Sequence, residues 1–227
     1  KYSTTQVLPG GAGNAASNVA ALGARARLAG MVGADGEGRR LLSTFPREVD
    51  TRQVVRARHY RTPVKTRILA GGVHSAKQQV VRIDRDTDWP LSEEVSRTFA
   101  RKIAASLDDC DAVLLSDYGS GLVTPALADT IRRALAARTR RRRIPIVVDS
   151  RHRLLEFRGL TACTPNQSEV EAALGMEIDD EAALERAGRT LLRRTGMQAV
   201  LITRGSRGMA LFEPKQPTVH LPIFGSD

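Results

Sequence analysis

Gly10-Gly11-Ala12-Gly13-Asn14-Ala15-Ala16-Ser17-Asn18, continuing to Leu22-Gly23 and Gly33, crowds bare backbone and two carboxamides into one turn. Glycine lets backbone N–H groups approach a ligand with no Cβ in the way, and each carboxamide can both donate and accept hydrogen bonds. That combination suits hydroxyl recognition, so Gly10, Gly11, Asn14 and Asn18 are candidate contacts to a polar small molecule. The same letters also fit a dinucleotide fingerprint, Gly11-x-Gly13-x-x-Ala16 with Asp35 about twenty residues on as a ribose acceptor. An NAD-dependent Rossmann oxidoreductase is therefore an alternative. Against it, residues 1–9 (KYSTTQVLP) are polar and end in proline, where the fingerprint needs a buried apolar strand.

Outward from this turn, apolar runs alternate with helical patterns. Strands are predicted at 28–32, 112–116, 146–149 and 199–203, and helices at 36–45, 125–137, 168–174 and 181–194. The alternation predicts an α/β fold with a mostly parallel central sheet flanked by helices. Several strands end in polar residues: Ser116-Asp117, Asp149-Ser150, Thr164 and Thr203-Arg204. Ligands of open α/β sheets bind beyond those ends. Asp117 is accordingly a candidate substrate or metal contact, with a structural strand-end role equally open. Short segments at 209–213 and 219–222 predict a terminal antiparallel pair. Between residues 53 and 84 the pattern is strand-like (53–57, 64–69, 79–83), with Gly71-Gly72 as a turn and no helix. Three such strands make either a lid that excludes water from phosphoryl transfer or an ordinary edge meander.

A chain of 227 residues can bury one substantial core, and no stretch reads as a linker, so a single domain over 1–227 is expected. The net charge of +10 raises nucleic acid as a partner, and Arg138-Thr139-Arg140-Arg141-Arg142-Arg143 is the densest basic run. It falls between a helical pattern and an apolar strand, where a solvated loop belongs. Aromatics make up only 4% of the chain, with none among these arginines, which leaves little for base stacking. The expectation is no nucleic-acid partner and a loop that helps attract phosphorylated substrates. No apolar run approaches 18 residues and the sequence shows no charged-then-apolar leader, so no membrane partner is expected. Cys110 and Cys163 show no CxxC or Cys/His ligand spacing, and the four histidines are scattered, which fits a reduced, cytoplasmic protein without a histidine metal centre.

Three motifs, taken together, resemble the ribokinase-like (PfkB) carbohydrate kinases. The glycine segment with Gly23 and Gly33 resembles the family's first signature. Thr164-Pro165-Asn166-Gln167-Ser168-Glu169 resembles its T-P-N-x-x-E segment. Leu201-Ile202-Thr203-Arg204-Gly205-Ser206-Arg207-Gly208-Met209 resembles its strand, T-x-G-x-x-G turn and returning strand. Read from the residues alone, Pro165 fixes a turn, Asn166 or Ser168 can cap a helix, and Glu169 lies in the first turn facing the strand ends. A capping motif and a glycine hairpin would account for both later segments without a ligand.

The resemblance implies a ribokinase-like fold with a small β lid at 53–84, and a sugar held by Gly10, Gly11, Asn14 and Asn18. It implies ATP beside Asn166, Gln167, Ser168, Glu169, Thr203, Gly205 and Gly208, and Mg²⁺ with its waters organised by Asn166 and Glu169. Lys65 and Arg82 of the lid become candidates for a sugar phosphate, and the lid strands for a homodimer contact. Four segments are most similar to the heptose 7-phosphate kinases, including the kinase half of bifunctional heptose kinase/adenylyltransferases. They are Pro9 to Asn14, Lys65-Thr66-Arg67-Ile68-Leu69, Gln78 to Asp84, and Leu115-Ser116-Asp117-Tyr118-Gly119-Ser120-Gly121; Ser120 stands where that group often has Lys. The implied reaction moves the γ-phosphoryl of ATP to the C1 hydroxyl of a heptose 7-phosphate. Other sugar or nucleoside kinases of the family, and a catalytically silent sugar-binding regulator, are the alternatives.

The family's general base sits in a D-T/V-x-G-A-G-D segment whose last Asp deprotonates the acceptor hydroxyl. No such segment occurs here, and Asp227 lacks its glycine context. The expectation is a chain incomplete at both ends, with the base beyond Asp227 and the family's first strand before Lys1.

Overall fold

In the computed structural model, which describes residues 4–71, 78–86, 92–137 and 143–223, the glycine segment is a helix rather than a turn. Helix α1 (Ala12–Ala21) begins directly after Gly11, whose φ of 53° and ψ of −134° suit only glycine. Ala12, Ala15, Ala16, Ala20 and Ala21 supply the helix propensity that turns a glycine-led loop into a helix at once. Residues 4–10 form no strand. This removes the dinucleotide reading, whose glycines must follow a buried strand.

The chain divides into two compact units, Lys1–Glu93 and Glu94–Asp227. In the first, strands β1 (Ala26–Gly33) and β2 (Val49–Ala57) pair in parallel across helix α2 (Gly36–Leu42), with Gly33 opposite Ala57. Residues 53–57, expected in the lid, therefore belong to a parallel β-α-β unit. The reason is the crossover: a helix between two strands brings them parallel, whereas a hairpin needs a short turn. The remaining strands of that stretch, β3 (Val64–Ala70) and β4 (Gln78–Arg85), form a two-stranded antiparallel ribbon. The turn expected at Gly71-Gly72 lies partly outside the described residues.

Asp35 ties this first unit together. Its Oδ1 accepts from the Gly38 N–H and the Thr62 hydroxyl, its Oδ2 accepts from the Thr62 N–H, and the Thr62 Oγ1 accepts from the Gly33 N–H. Burial disfavours the Asp35 charge, but the Thr62 and Gly38 N–H groups outweigh it and hold the carboxyl below its ordinary value. A lowered carboxyl contributes stability above its unfolded pKa, and that stability is lost as pH falls through the folded value. Asp35→Ala is expected to cost about 2 kcal/mol at pH 7 by urea unfolding, since it removes a helix cap and strands the Thr62 donors. The deficit against wild type should shrink as the pH is lowered below about 4; a pH-independent deficit would argue against this origin.

The second unit holds a six-stranded sheet in the order β10-β9-β8-β7-β6-β5. Strands β5 (Val113–Asp117), β6 (Ile146–Ser150), β7 (Ala162–Cys163) and β8 (Ala199–Thr203) run parallel. The returning strands β9 (Met209–Phe212) and β10 (Val219–Leu221) are antiparallel, as expected for the terminal pair. Val148, Cys163, Val200, Ile202 and Phe212 are fully buried along this sheet. Helix α6 (Glu181–Thr195) covers it with Leu184, Ala187 and Leu191, three and four residues apart on one face. Asp180 caps its start and Gly196 ends it in the left-handed conformation. Helix α4 (Pro125–Ala136) begins on Thr124, which accepts from the Leu127 N–H, with Pro125 in the first turn. Helix α3 (Glu93–Ser106) has no counterpart among the sequence expectations. Phe99 and Ile103, buried one turn apart among charged neighbours, give it an apolar stripe as periodic as those of α4 and α6, a signal that was passed over.

Candidate functional site

Within the first unit, Asn14 and Asn18 are both exposed and lie one helical turn apart, so their carboxamides share one face of α1. Their backbones are bonded within the helix, Asn14 N–H to Gly11 and Asn18 C=O from Leu22, but neither side chain has a hydrogen-bond partner among the described residues, which leaves both carboxamides for a ligand. Gly10 accepts through its carbonyl from the Gly13 N–H at 3.0 Å, and a Cβ on Gly13 would touch the Phe45 ring at 3.0 Å. The start of α1 is thus held close by packing.

The β3–β4 ribbon has two unlike faces. Its register sets Lys65 opposite Asp84 and Arg67 opposite Arg82 on one face, and Thr66 opposite Ile83 and Ile68 opposite Val81 on the other. Lys65 Nζ lies 3.2 Å from Asp84 Oδ2 and 3.4 Å from Asp86 Oδ1, while Arg82 donates to both oxygens of Asp84. Lys65 and Arg82 are therefore already paired with aspartates, while Arg67 adds further positive charge to the same face.

In the second unit, the T-P-N-x-x-E and T-x-G-x-x-G segments come together. The Thr203 N–H donates to the Pro165 carbonyl at 2.9 Å, and Asn166 and Thr203 form a parallel bridge that extends the β7–β8 ladder. Asn166 caps helix α5 (Gln167–Leu174): its Oδ1 accepts from the Glu169 N–H at 2.9 Å, and the Glu169 carboxylate accepts back from the Asn166 N–H at 2.8 Å. The cap is Asn166 and not Ser168, whose hydroxyl instead donates to Asn166 Oδ1. Gln167 is fully engaged, donating to Glu171 and the Ile178 carbonyl and accepting from Arg207. A groove of about 310 Å³ is lined by Asn166, Gln167, Ser168, Thr203 and Gly205 together with Glu171, Arg204 and Arg207. Gly208 closes the turn beside it, accepting from the Arg204 N–H at 2.8 Å. Glu171, Arg204 and Arg207 were not singled out from the sequence, although the arginines of T-R-G-S-R-G stand in the motif itself.

Asp117 is buried and committed. Its Oδ1 accepts from the Gly119 N–H at 3.0 Å, its Oδ2 accepts from the Ser150 hydroxyl at 2.8 Å, and Arg153 stands 3.7 Å away. Of the two roles open for this residue, the structure displays the strand-end one. The neighbouring strand end carries Asp149, whose carboxyl is pushed above its ordinary value, first by burial and then by the Glu169 charge; Arg151 partly offsets this and Asp117 adds to it. Asp149 is the acidic residue that sequence reading passed over as a mere strand end.

Among the described residues, no group of three or more His, Cys, Asp or Glu side chains is arranged to hold a metal ion. Glu169, whose Oε2 serves the cap of α5, and Asp149 at the end of β6 are the acidic side chains that would hold a hydrated divalent cation. Mg²⁺ keeps several waters and needs only one or two protein carboxylates beside substrate phosphates. The basic run at 138–143 lies almost wholly outside the described residues, as does Asp227.

The family model for "pfkB family carbohydrate kinase" matches residues 1–226. The chain is 39% identical over 215 residues to the bifunctional protein HldE of Trichlorobacter lovleyi, covering 94% of this chain and 42% of that protein. It is 39% identical over 224 residues to the bifunctional protein HldE of Geobacter metallireducens, covering 98% and 44%. The chain thus spans under half the length of these relatives. Escherichia coli phosphofructokinase-2 in complex with fructose-6-phosphate superimposes with a TM-score of 0.72 at 18% identity, over 96% of this chain and 70% of that one. Arabidopsis thaliana ribokinase complexed with ribose and ATP gives 0.67 at 19%, over 97% and 68%. These two likenesses establish a ribokinase-like fold, and the family match, continuous with the glycine, T-P-N-x-x-E and T-x-G-x-x-G segments, shows that the chain belongs to the pfkB family of carbohydrate kinases.

Proposed function

We propose that the protein is an ATP-dependent sugar kinase that transfers the γ-phosphoryl group to the C1 hydroxyl of a heptose 7-phosphate, with both units forming one kinase domain. The observation that carries this reading is the parallel bridge between Asn166 and Thr203, which assembles two family motifs into one polar groove. The heptose is supported by the likeness of segments 9–14, 65–69, 78–84 and 115–121 to heptose 7-phosphate kinases. In the transfer, the sugar oxygen bonds to the γ-phosphorus and the bridging bond to the β-phosphate breaks. ADP leaves with that electron pair, and the hydroxyl proton passes to a carboxylate base. Catalysis here is chiefly positioning and charge neutralisation.

Asn14 and Asn18 bind the sugar hydroxyls, and the charged face of the β3–β4 ribbon attracts the sugar phosphate through Lys65, Arg67 and Arg82. Thr203, Gly205 and Gly208 border the nucleotide, while Asn166, Glu169 and Asp149 orient water around Mg²⁺. Such an ion, when bound, would supply charge neutralisation for the nucleotide phosphates. The other ribbon face leaves Ile68, Val81 and Ile83 exposed, which fits burial against the same face of a second copy in a homodimer. A cytoplasmic setting fits two free cysteines, of which Cys163 has its thiol pushed up to about 12 by burial and by the charge of Asp149.

The reading is tested by ADP release from the intact protein across phosphorylated heptoses, hexoses and pentoses; absence of release with every sugar refutes it. Asn14→Ala is expected to weaken sugar binding by about 1–3 kcal/mol in titration calorimetry while nucleotide affinity stays unchanged. Alanine is the better helix former at this exposed site, so thermal stability should not fall. Equal loss of both affinities would contradict the assignment.

A further inference from the structure

The ends of β5 and β6 carry a cation that the roles assigned so far do not use. Asp117 joins the two ends through the Ser150 hydroxyl, and the Arg151 N–H donates to the Asp117 carbonyl at 3.2 Å. His152 lies against Gly119, where an added Cβ would meet its ring at 3.1 Å. The two loops are therefore interlocked, and the Arg151 guanidinium is held over the Tyr118 ring, 4.5 Å from its centroid.

The two neighbouring arginines differ in how their charge is answered. Arg153 points at buried Asp117 and donates to the Val123 carbonyl, which accounts for it structurally. Arg151 forms no ion pair among the described residues and is exposed. A guanidinium that stacks on an aromatic face keeps its in-plane N–H fork free, and that fork matches the oxygens of a phosphoryl group.

We propose that Arg151, seated on Tyr118, grips the oxygens of the phosphoryl group being transferred and stabilises its charge in the transition state. This rests on the kinase reading given above. Among phosphoryl sources, the nucleotide is favoured over the phosphate of the acceptor sugar by the neighbours. Arg151 directly follows β6, whose parallel neighbour β7 leads at the same sheet edge into Asn166, with the Thr164 N–H donating to the Val148 carbonyl at 3.2 Å and Asn166 bridging Thr203, which sets the cation at the strand ends that carry the proposed nucleotide groove. A fixed cation that needs no reorientation during the reaction acts where charge develops.

The test is steady-state kinetics of the intact protein with ATP-Mg²⁺ and the best sugar phosphate from the panel. Arg151→Gln is expected to lower kcat about 10²-fold, with both KM values within about threefold of wild type and an unchanged thermal midpoint. Arg151→Lys should recover part of the loss, and added guanidinium should revive Arg151→Gln. Tyr118→Leu should lower kcat less, and add little in the double variant, because it acts through the same side chain. Four results overturn the proposal: kcat unchanged in Arg151→Gln; a rise in KM for the sugar phosphate alone, which would assign Arg151 to the acceptor's own phosphate; a loss that neither lysine nor guanidinium relieves; or additive effects of Arg151→Gln and Tyr118→Leu. A wild-type protein that releases no ADP refutes the kinase reading itself, whereas an active wild type with an unaltered Arg151→Gln variant refutes only this role.

Discussion

Gly208→Ala is expected to destabilise the protein by about 3–5 kcal/mol, a large part of the total stability of an ordinary domain. Two costs add at this position. Its φ of 77° with ψ of −135° lies outside even the left-handed helical region that other residues occasionally visit, at about 1–3 kcal/mol of backbone strain. A Cβ there would also stand 2.0 Å from the Leu221 carbonyl oxygen, and Leu221 is fixed by its antiparallel pairing with Met209. A backbone oxygen cannot swing aside as a flexible side chain would, so β10 must shift or separate from β9, and overpacking of this kind adds about 1–3 kcal/mol. Gly205→Ala is the control: its φ is 58°, nothing lies within 4 Å of the new methyl, and the expected loss is about 1–2 kcal/mol. Urea unfolding of both variants of the intact protein checks the difference. A Gly208→Ala loss no larger than that of Gly205→Ala would show that β10 yields freely.

Glu169→Ala is expected to lower kcat by about 10³-fold and to raise the Mg²⁺ concentration needed for half-maximal rate. Glu169 holds two positions at once. Its Oε2 completes the capping box of α5, and its charge opposes that of Asp149 across the strand ends. Loss of the reciprocal cap should cost about 0.5–2 kcal/mol of stability, too little to explain a rate effect of that size. Asp149→Asn separates the two contributions. Asp149 has a raised carboxyl, so its ionisation in the native state opposes folding, and this penalty grows as pH rises from the ordinary carboxylate range through the folded value. The metal-free Asp149→Asn protein should therefore be more stable than wild type at pH 7, yet should lose the gain in thermal midpoint that Mg²⁺ and nucleotide confer on wild type. A variant that is less stable without metal, or that keeps the full Mg²⁺-dependent gain, would remove Asp149 from the site.

Much of this protein was legible from its residues because the features concerned are local. Apolar runs and helical periods placed strands β5, β6 and β8 and helices α4, α5 and α6 to within about two residues of their observed ends. The T-P-N-x-x-E segment announced its cap, since Asn166 and Glu169 satisfy each other's backbone within one turn. What depended on partners distant in sequence was decided only by the tertiary structure. Residues 53–57 read as part of a lid or of an edge meander, and only the tertiary structure pairs β2 in parallel with β1. Asp35 stood as the ribose acceptor of the rival dinucleotide reading until Thr62, far along the chain, took its oxygens. Lys65 and Arg82 read as free cations until the ribbon register brought Asp84 between them. Asp149 and Arg151 were silent in the sequence, because a carboxyl is raised by burial and by the charges around it, and an arginine is aimed by the ring beneath it. Residue order determines period, caps and turns; burial and cross-strand neighbours determine which charges are already paired and which still face a ligand.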